Sequence, residues 1–304
     1  MHITAKPGPS DSFTDIRGIR VGQAACRTAK TGVTVILPDA PVAMGVDVRG
    51  GGPGTRDTDA LNPECLVEKV HGLVLSGGSV FGLAAADGAT SFLSEKGIGL
   101  PLGPHAVPVV PSAILFDLMN GGDKAWGDTP PYRQLGIDAA KAATHDPVAS
   151  GSVGAGYGAL CGGEAGGLGT ASLQTDDGIC VAALVAVNSF GPRTDIAGGE
   201  AVEHGHVSLP KLGFIGANTT IAAIATNLDL DKAACKRLAI MGHDGLARAI
   251  RPLHTPFDGD TVFALSSGAK KLDGDKAKTL AVVGTLAADC LAIAVKRAVE
   301  NADR

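Results

Sequence analysis

Short apolar runs rich in β-branched residues recur along the chain at irregular intervals. They read VTVIL (33–37), VAMGVDV (42–48), VHGLVL (70–75), ICVAALVAVN (179–188), TIAAIAT (220–226) and TVFALS (261–266). Runs of this length and composition fit buried or half-buried strands. Helical patterns lie between them. One spans 79–97 and stops at Gly97, and a second covers 132–144. A third starts at Asp231, a suitable N-cap. The last runs from Asp275 to the end and is apolar on nearly all sides, which predicts burial in a layer or a subunit interface. Strands mixed with long helices predict an α/β architecture. Their order, several strands before the first helix, argues against a simple doubly wound repeat. The Pro-rich segment 101–111 and the Gly-rich segment 151–169 keep apolar residues throughout, so both are read as connections within one domain spanning 1–304.

Glycine is the second constraint. The chain has 43 glycines in 304 residues, about twice the usual share of roughly 7%. They cluster at 50–52, 77–78, 121–122 and 151–169 without a triplet period, which excludes collagen. Such clusters mean tight backbone approach, or loops that bring N–H groups to a ligand. Apolar residues make up 45% and charged residues 19%, with a net charge of −5. That is a globular composition, and it lacks the basic stripe of a nucleic-acid binder. The first thirteen residues have no apolar core and are not read as a signal peptide. Pro101, Pro104, Pro108 and Pro111 forbid a membrane helix across 97–116. The six cysteines are scattered with no C-x-x-C, so neither a zinc nor a redox motif is expected. We expect a cytoplasmic protein with no membrane or nucleic-acid partner, and with no metal or organic cofactor.

Three segments carry candidate chemistry. LSGGSVFG (75–82) places Gly78 and Ser79 between a strand and a helix. A serine nucleophile elbow needs G-x-S-x-G, and Phe81 breaks that spacing. The segment is a turn, or a backbone site for an anion or oxyanion. GAGYGA (154–159), beginning at Gly154, matches G-x-G-x-x-A but lacks the preceding strand and following helix of a dinucleotide site. GANTTIAAIATN (216–227) joins a loose tripeptide to strand material. Thr219 is either a plain strand start or a nucleophile. A threonine hydroxyl needs an adjacent base, and a chain-terminal threonine has one in its own α-amine. The reference pKa of that amine is about 7.7–8.0. Such a terminus arises if Thr219 Oγ attacks the Asn218 carbonyl and the resulting ester hydrolyses.

Eight ordered segments resemble the L-aminopeptidase/D-esterase (DmpA-type) family of self-cleaving N-terminal-nucleophile hydrolases. Its relatives include β-peptidyl aminopeptidases and endo-acting nylon-oligomer hydrolases. The segments are TDIRGIRVGQA (14–24), DVRGGGPGTRDTDAL (47–61), VLSGGSVFGLAAADG (74–88), GSVGAGYGA (151–159), GGLGTAS (166–172), VAVNSFG (185–191), NTTIAAIATN (218–227) and PFDGDTVFALSSG (256–268). The resemblance implies a four-layer α/β/β/α sandwich and a homotetramer of cleaved protomers, with the last helix in an interface layer. It implies autocleavage between Asn218 and Thr219 into chains 1–218 and 219–304, with Thr219 as nucleophile. It implies an oxyanion role for Asn188, service to the nucleophile by Asp258 and Asp260, and a small amide or peptide substrate. Gly78, Ser79, Phe116 and Gly154 fall in the segments expected to line the pocket. The i, i+2 spacing of Asp258 and Asp260 predicts both carboxylates on one strand face, where crowding raises one pKa. Read without the resemblance, FDGDT is an Asp-Gly hairpin turn. Two positions depart from the family pattern. Phe116 stands where peptidase relatives have a tyrosine, and Gly163 where nylon-hydrolase relatives have a lysine.

Overall fold

The computed structural model describes residues 3–194 and 218–302. In chain order these form β1 (Ala5–Pro7), β2 (Ile19–Cys26), β3 (Thr31–Pro38), β4 (Ala43–Val48), β5 (Thr55–Arg56), β6 (Leu73–Ser76), α1 (Ala84–Glu95), β7 (Leu100–Leu102) and β8 (His105–Val107). There follow β9 (Ser112–Ile114), α2 (Tyr132–Lys141), β10 (Leu160–Cys161), β11 (Glu164–Ala165), β12 (Gly167–Thr175), β13 (Cys180–Asn188), β14 (Thr219–Leu228), α3 (Lys232–Ala249), β15 (Thr261–Lys270) and α4 (Lys276–Glu300).

Two mixed sheets stack between two helix pairs. The six-stranded sheet has the order β1-β12-β13-β14-β15-β4, the five-stranded sheet β2-β3-β6-β9-β5. Within the first, β14 and β15 are parallel neighbours because α3 carries the chain back between them. Alternate residues of its central strands enter different cores. Val181, Ala183, Val185, Ala222, Ile224 and Val262 pack under α3 and α4. Ala182, Leu184, Ala186, Ile221, Ala223 and Phe263 face the second sheet, against Ile36, Leu73 and Leu75. A third cluster joins Val33, Val35 and Val74 to Ala85, Ala89 and Ala139 of α1 and α2. Both faces of each central strand are thus covered, which is why their sequences read as unbroken apolar runs. The expected α/β/β/α sandwich is the observed fold.

The helices lie close to their expected bounds. Asp231 caps α3 by accepting the Ala234 N–H at 2.8 Å, and Gly97 ends α1 with φ +71°. A 3₁₀ turn, Ser79–Leu83, precedes α1. The apolar α4 packs onto β12, β13 and α3. By length and composition it could cross a membrane, but half of its apolar window is buried inside the fold. The layer within the chain therefore accounts for much of its apolar character.

Among the strands of six or more residues, two depart from expectation. β2 carries no long apolar run, and β12, GLGTASLQT, lies partly in the segment expected to be a connection. The glycines of β12 are there for proximity: a Cβ on Gly169 would lie 1.9 Å from the Ala294 carbonyl of α4. A strand that touches a helix backbone loses its β-branched signature at that point.

Candidate active site

Thr219 opens β14 and pairs with Asn188, the last residue of β13. Directly opposed residues put their side chains on one face, with Cβ atoms roughly 5 Å apart. Thr219 is 3% exposed. Its hydroxyl donates to the Asn218 carbonyl oxygen, which also accepts the Gly259 N–H at 3.1 Å. Gly259 leaves room for this arrangement, since a Cβ there would sit 2.7 Å from Thr219 Oγ1. The expected turn at Gly216 and Ala217 lies outside the described residues.

Asp258 and Asp260 are both fully buried. They lie in the segment that leads into β15, not on the strand, so the alternation rule does not apply to them. Asp258 forms a parallel bridge with Asn218, and no hairpin turn is present there. Asp260 Oδ1 accepts the Thr220 N–H at 2.7 Å. Its Oδ2 accepts the His254 N–H at 3.0 Å and lies 2.7 Å from His254 Nδ1. Asp258 Oδ2 accepts the Thr255 N–H and hydroxyl at 2.8 and 2.6 Å. Burial, and then the neighbouring Asp260 charge, push Asp258 above the usual carboxylate range. Among the described residues neither carboxylate bonds the Thr219 hydroxyl of this uncut chain.

The glycine triplet 50–52 braces this segment. Arg49 N–H donates to the Asp260 carbonyl at 3.0 Å, and Gly52 N–H to that of Asp258 at 2.8 Å. A Cβ on Gly50 would stand 2.3 Å from both the Asp258 oxygen and the Asp260 nitrogen. Glycine is required there by close approach of two backbones.

On the other side, Asn188 is 2% exposed. Its Oδ1 accepts the Leu160 N–H at 2.8 Å, and its Nδ2 donates to the Phe116 carbonyl at 2.9 Å. Phe116 therefore meets Asn188 through its backbone, a contact that needs no phenolic hydroxyl. The next residue, Asp117, is 2% exposed and accepts the Gly78 N–H at 2.8 Å. Burial raises its pKa to about 6. Gly78 and Ser79 both take left-handed backbone, with φ +90° and +51°. Ser79 resembles an elbow in strain only: among the described residues no histidine or carboxylate bonds its hydroxyl. Gly154, with φ +49°, has Thr34 and Gln23 as its nearest side-chain neighbours. Gly163, with φ +91°, shares the β10–β11 turn with Gly162, so a lysine there would be strained.

The residue reading missed His254, and with it His243, which continues the contact. His254 stands six positions before Asp260, and that proximity to FDGDT was the available signal. Among the described residues no group of three or more His, Cys, Asp or Glu could hold a metal ion.

The profile of peptidase family S58 matches residues 11–304. The chain belongs to this family. It is 42% identical to an aminopeptidase of Mycobacterium tuberculosis, described as uncharacterized, over 96% of this chain and 94% of that one. It is 30% identical to the 6-aminohexanoate-oligomer endohydrolase of a Kocuria species, over 83% of this chain and 74% of the relative. Among solved structures, a Burkholderia β-aminopeptidase superposes with a TM-score of 0.76 at 25% identity, covering 98% of this chain and 89% of that one. The L-aminopeptidase D-Ala-esterase/amidase of Ochrobactrum anthropi, a variant of the Ntn hydrolase fold, shares the fold with a TM-score of 0.74 at 23% identity, covering 100% and 89%. The S58 chain is an amide-bond hydrolase on an Ntn-type scaffold.

Proposed function

We propose that this S58 protein is a self-processing aminopeptidase or amidase whose nucleophile is Thr219. The observation that carries this is the Thr219 hydroxyl seated against the Asn218 carbonyl, whose oxygen is also held by the Gly259 N–H. In the processing step Oγ bonds to the Asn218 carbonyl carbon and the C–N bond breaks. The hydroxyl proton passes to the departing nitrogen. The Gly259 N–H stabilises the oxyanion that forms between these events. Water then hydrolyses the ester, and the freed α-amine becomes the base for substrate attack. Asn188, across the ladder from Thr219, is the side-chain donor suited to the substrate oxyanion. Asp260 fixes the strand behind the nucleophile through the Thr220 N–H.

Exo-acting cleavage is favoured because the aminopeptidase relative is both more similar and more fully covered than the oligomer endohydrolase. Intact-mass spectrometry combined with an amide panel tests the proposal. Wild type yields chains of 218 and 304 − 218 = 86 residues. Thr219→Ala stays full-length and inactive, and Thr219→Ser is cut. A cleaved Thr219→Ala variant, or an active wild type found only at full length, removes Thr219 from the mechanism. Turnover of 6-aminohexanoate oligomers in preference to amino-acid amides would move the assignment to an endo-acting enzyme.

A further inference from the structure

Asp260 is the inner end of a chain of polar groups that leads away from the nucleophile. His254 Nδ1 lies 2.7 Å from Asp260 Oδ2. His254 Nε2 lies 3.1 Å from His243 Nδ1. His243 Nε2 lies 3.1 Å from the Asp47 carbonyl oxygen and 3.5 Å from its carboxylate. Asp260 precedes β15, His254 follows α3, His243 is on α3 and Asp47 is on β4. Three pieces of chain, the α3–β15 connection, α3 and β4, converge on one line.

The protons along this line can be counted. A carbonyl oxygen only accepts, so His243 Nε2 carries a hydrogen. A neutral His243 then has a bare Nδ1, which must accept from His254 Nε2–H. His254 Nδ1 faces a carboxylate oxygen that already accepts the His254 backbone N–H, so Nδ1 carries a hydrogen too. His254 is then an imidazolium. Placing the charge on His243 instead is opposed by its burial, at 1% exposure. Burial first, with Arg49 and His254 adding to it, holds His243 down at about 4 against the pull of Asp47. The Asp47 carboxylate is itself engaged by Arg49 Nε at 2.7 Å.

We propose that His254, seated on a neutral His243, is the cationic counter-ion that keeps Asp260 ionised and aimed at the nucleophile strand. His254 and His243 are thus positioning residues of the reaction, and this role rests on Thr219 being the nucleophile. Of the two crowded acids, Asp260 is the one that His254 faces, and Asp258 is the one pushed above the usual carboxylate range.

Nitrogen-15 NMR of histidine-labelled full-length protein at pH 7 tests the counter-ion without turnover. The expected pattern is His254 protonated on both nitrogens and His243 protonated on Nε2 alone. A neutral His254, or a hydrogen on His243 Nδ1, overturns the assignment. The link to catalysis is read from pH profiles of amide turnover. Activity needs the His254 cation, so turnover has a basic limb on which it is lost. His243→Leu removes the acceptor for Nε2–H and should move this basic limb to lower pH. His243→Asn places an amide oxygen near the lost Nδ1 and should return the limb toward wild type. Equal losses at every pH in both variants, with an unmoved limb, would mean that the ring only fills space. An active Thr219→Ala variant would remove the nucleophile assignment alone, because the nitrogen pattern does not depend on turnover.

Discussion

At the scale of single residues, two small groups decide whether the chemistry is possible. Gly259 has ordinary backbone, so its role is space for Thr219 Oγ1. In Gly259→Ala the new methyl must displace that hydroxyl or the Gly52 carbonyl, 2.8 Å away. We expect autocleavage to slow at least tenfold, the effect of roughly 1.4 kcal/mol on a barrier. A time course on denaturing gels measures it, and processing at the wild-type rate would contradict the placement of the hydroxyl. Asp117 makes a second prediction. Its folded pKa of about 6 lies above the ordinary carboxylate value of 3.8. A raised value means that the native state binds the proton more tightly. The stabilisation is present below the unfolded value and is lost as pH rises through about 6. The gap corresponds to at most about 3 kcal/mol, at ~1.4 kcal/mol per tenfold change. Asp117→Asn retains an oxygen for the Gly78 N–H and removes the charge. Its melting temperature should exceed that of wild type at pH 8, with the difference shrinking toward pH 4. A constant offset across that range would show that the ionised form carries no penalty.

At the scale of elements, glycines set how closely the outer helices pack. Gly245 of α3 would place a Cβ 2.1 Å from the Ala288 carbonyl of α4. Helix propensity alone predicts that Gly245→Ala stabilises by about 1 kcal/mol. Overpacking against a backbone costs about 1–3 kcal/mol and works in the opposite direction. We expect a net loss of stability in urea melts, and a gain would mean that the helices can part freely. The helix pair α1–α2 repeats the device, since Gly88 and Gly136 would each meet a carbonyl of the opposite helix at 2.1 Å. The same cause hid β12 from the sequence, because its glycines serve α4 and not the strand.

At the scale of the whole molecule, the cut proposed at Asn218–Thr219 falls inside one sheet. β14 and β15 belong to the smaller product, yet they lie between β13 and β4 of the larger one. Main-chain ladders on both sides, and two buried cores, therefore hold the products together. Cleaved protein should elute as one species in native size-exclusion chromatography and separate only in denaturant. Free 86-residue product in native buffer would contradict this sheet order.

The sequence by itself determined the strands at 179–188, 220–226 and 261–266, because residues buried on both faces must be apolar at every position. It determined the stops and caps at Gly97 and Asp231, which are local chemistry. It marked Thr219, Asn188, Asp258 and Asp260, since each lies in a segment that resembles the family. Only the tertiary structure decided what those groups touch. Asp260 proved to hold Thr220 and His254, while Asp258 proved to hold Thr255. Asn188 proved to meet the Phe116 backbone rather than its side chain. The line from Asp260 through His254 and His243 to Asp47 was invisible in one dimension. Its ends are more than two hundred positions apart, and a hydrogen bond leaves no periodic trace in the residues between them.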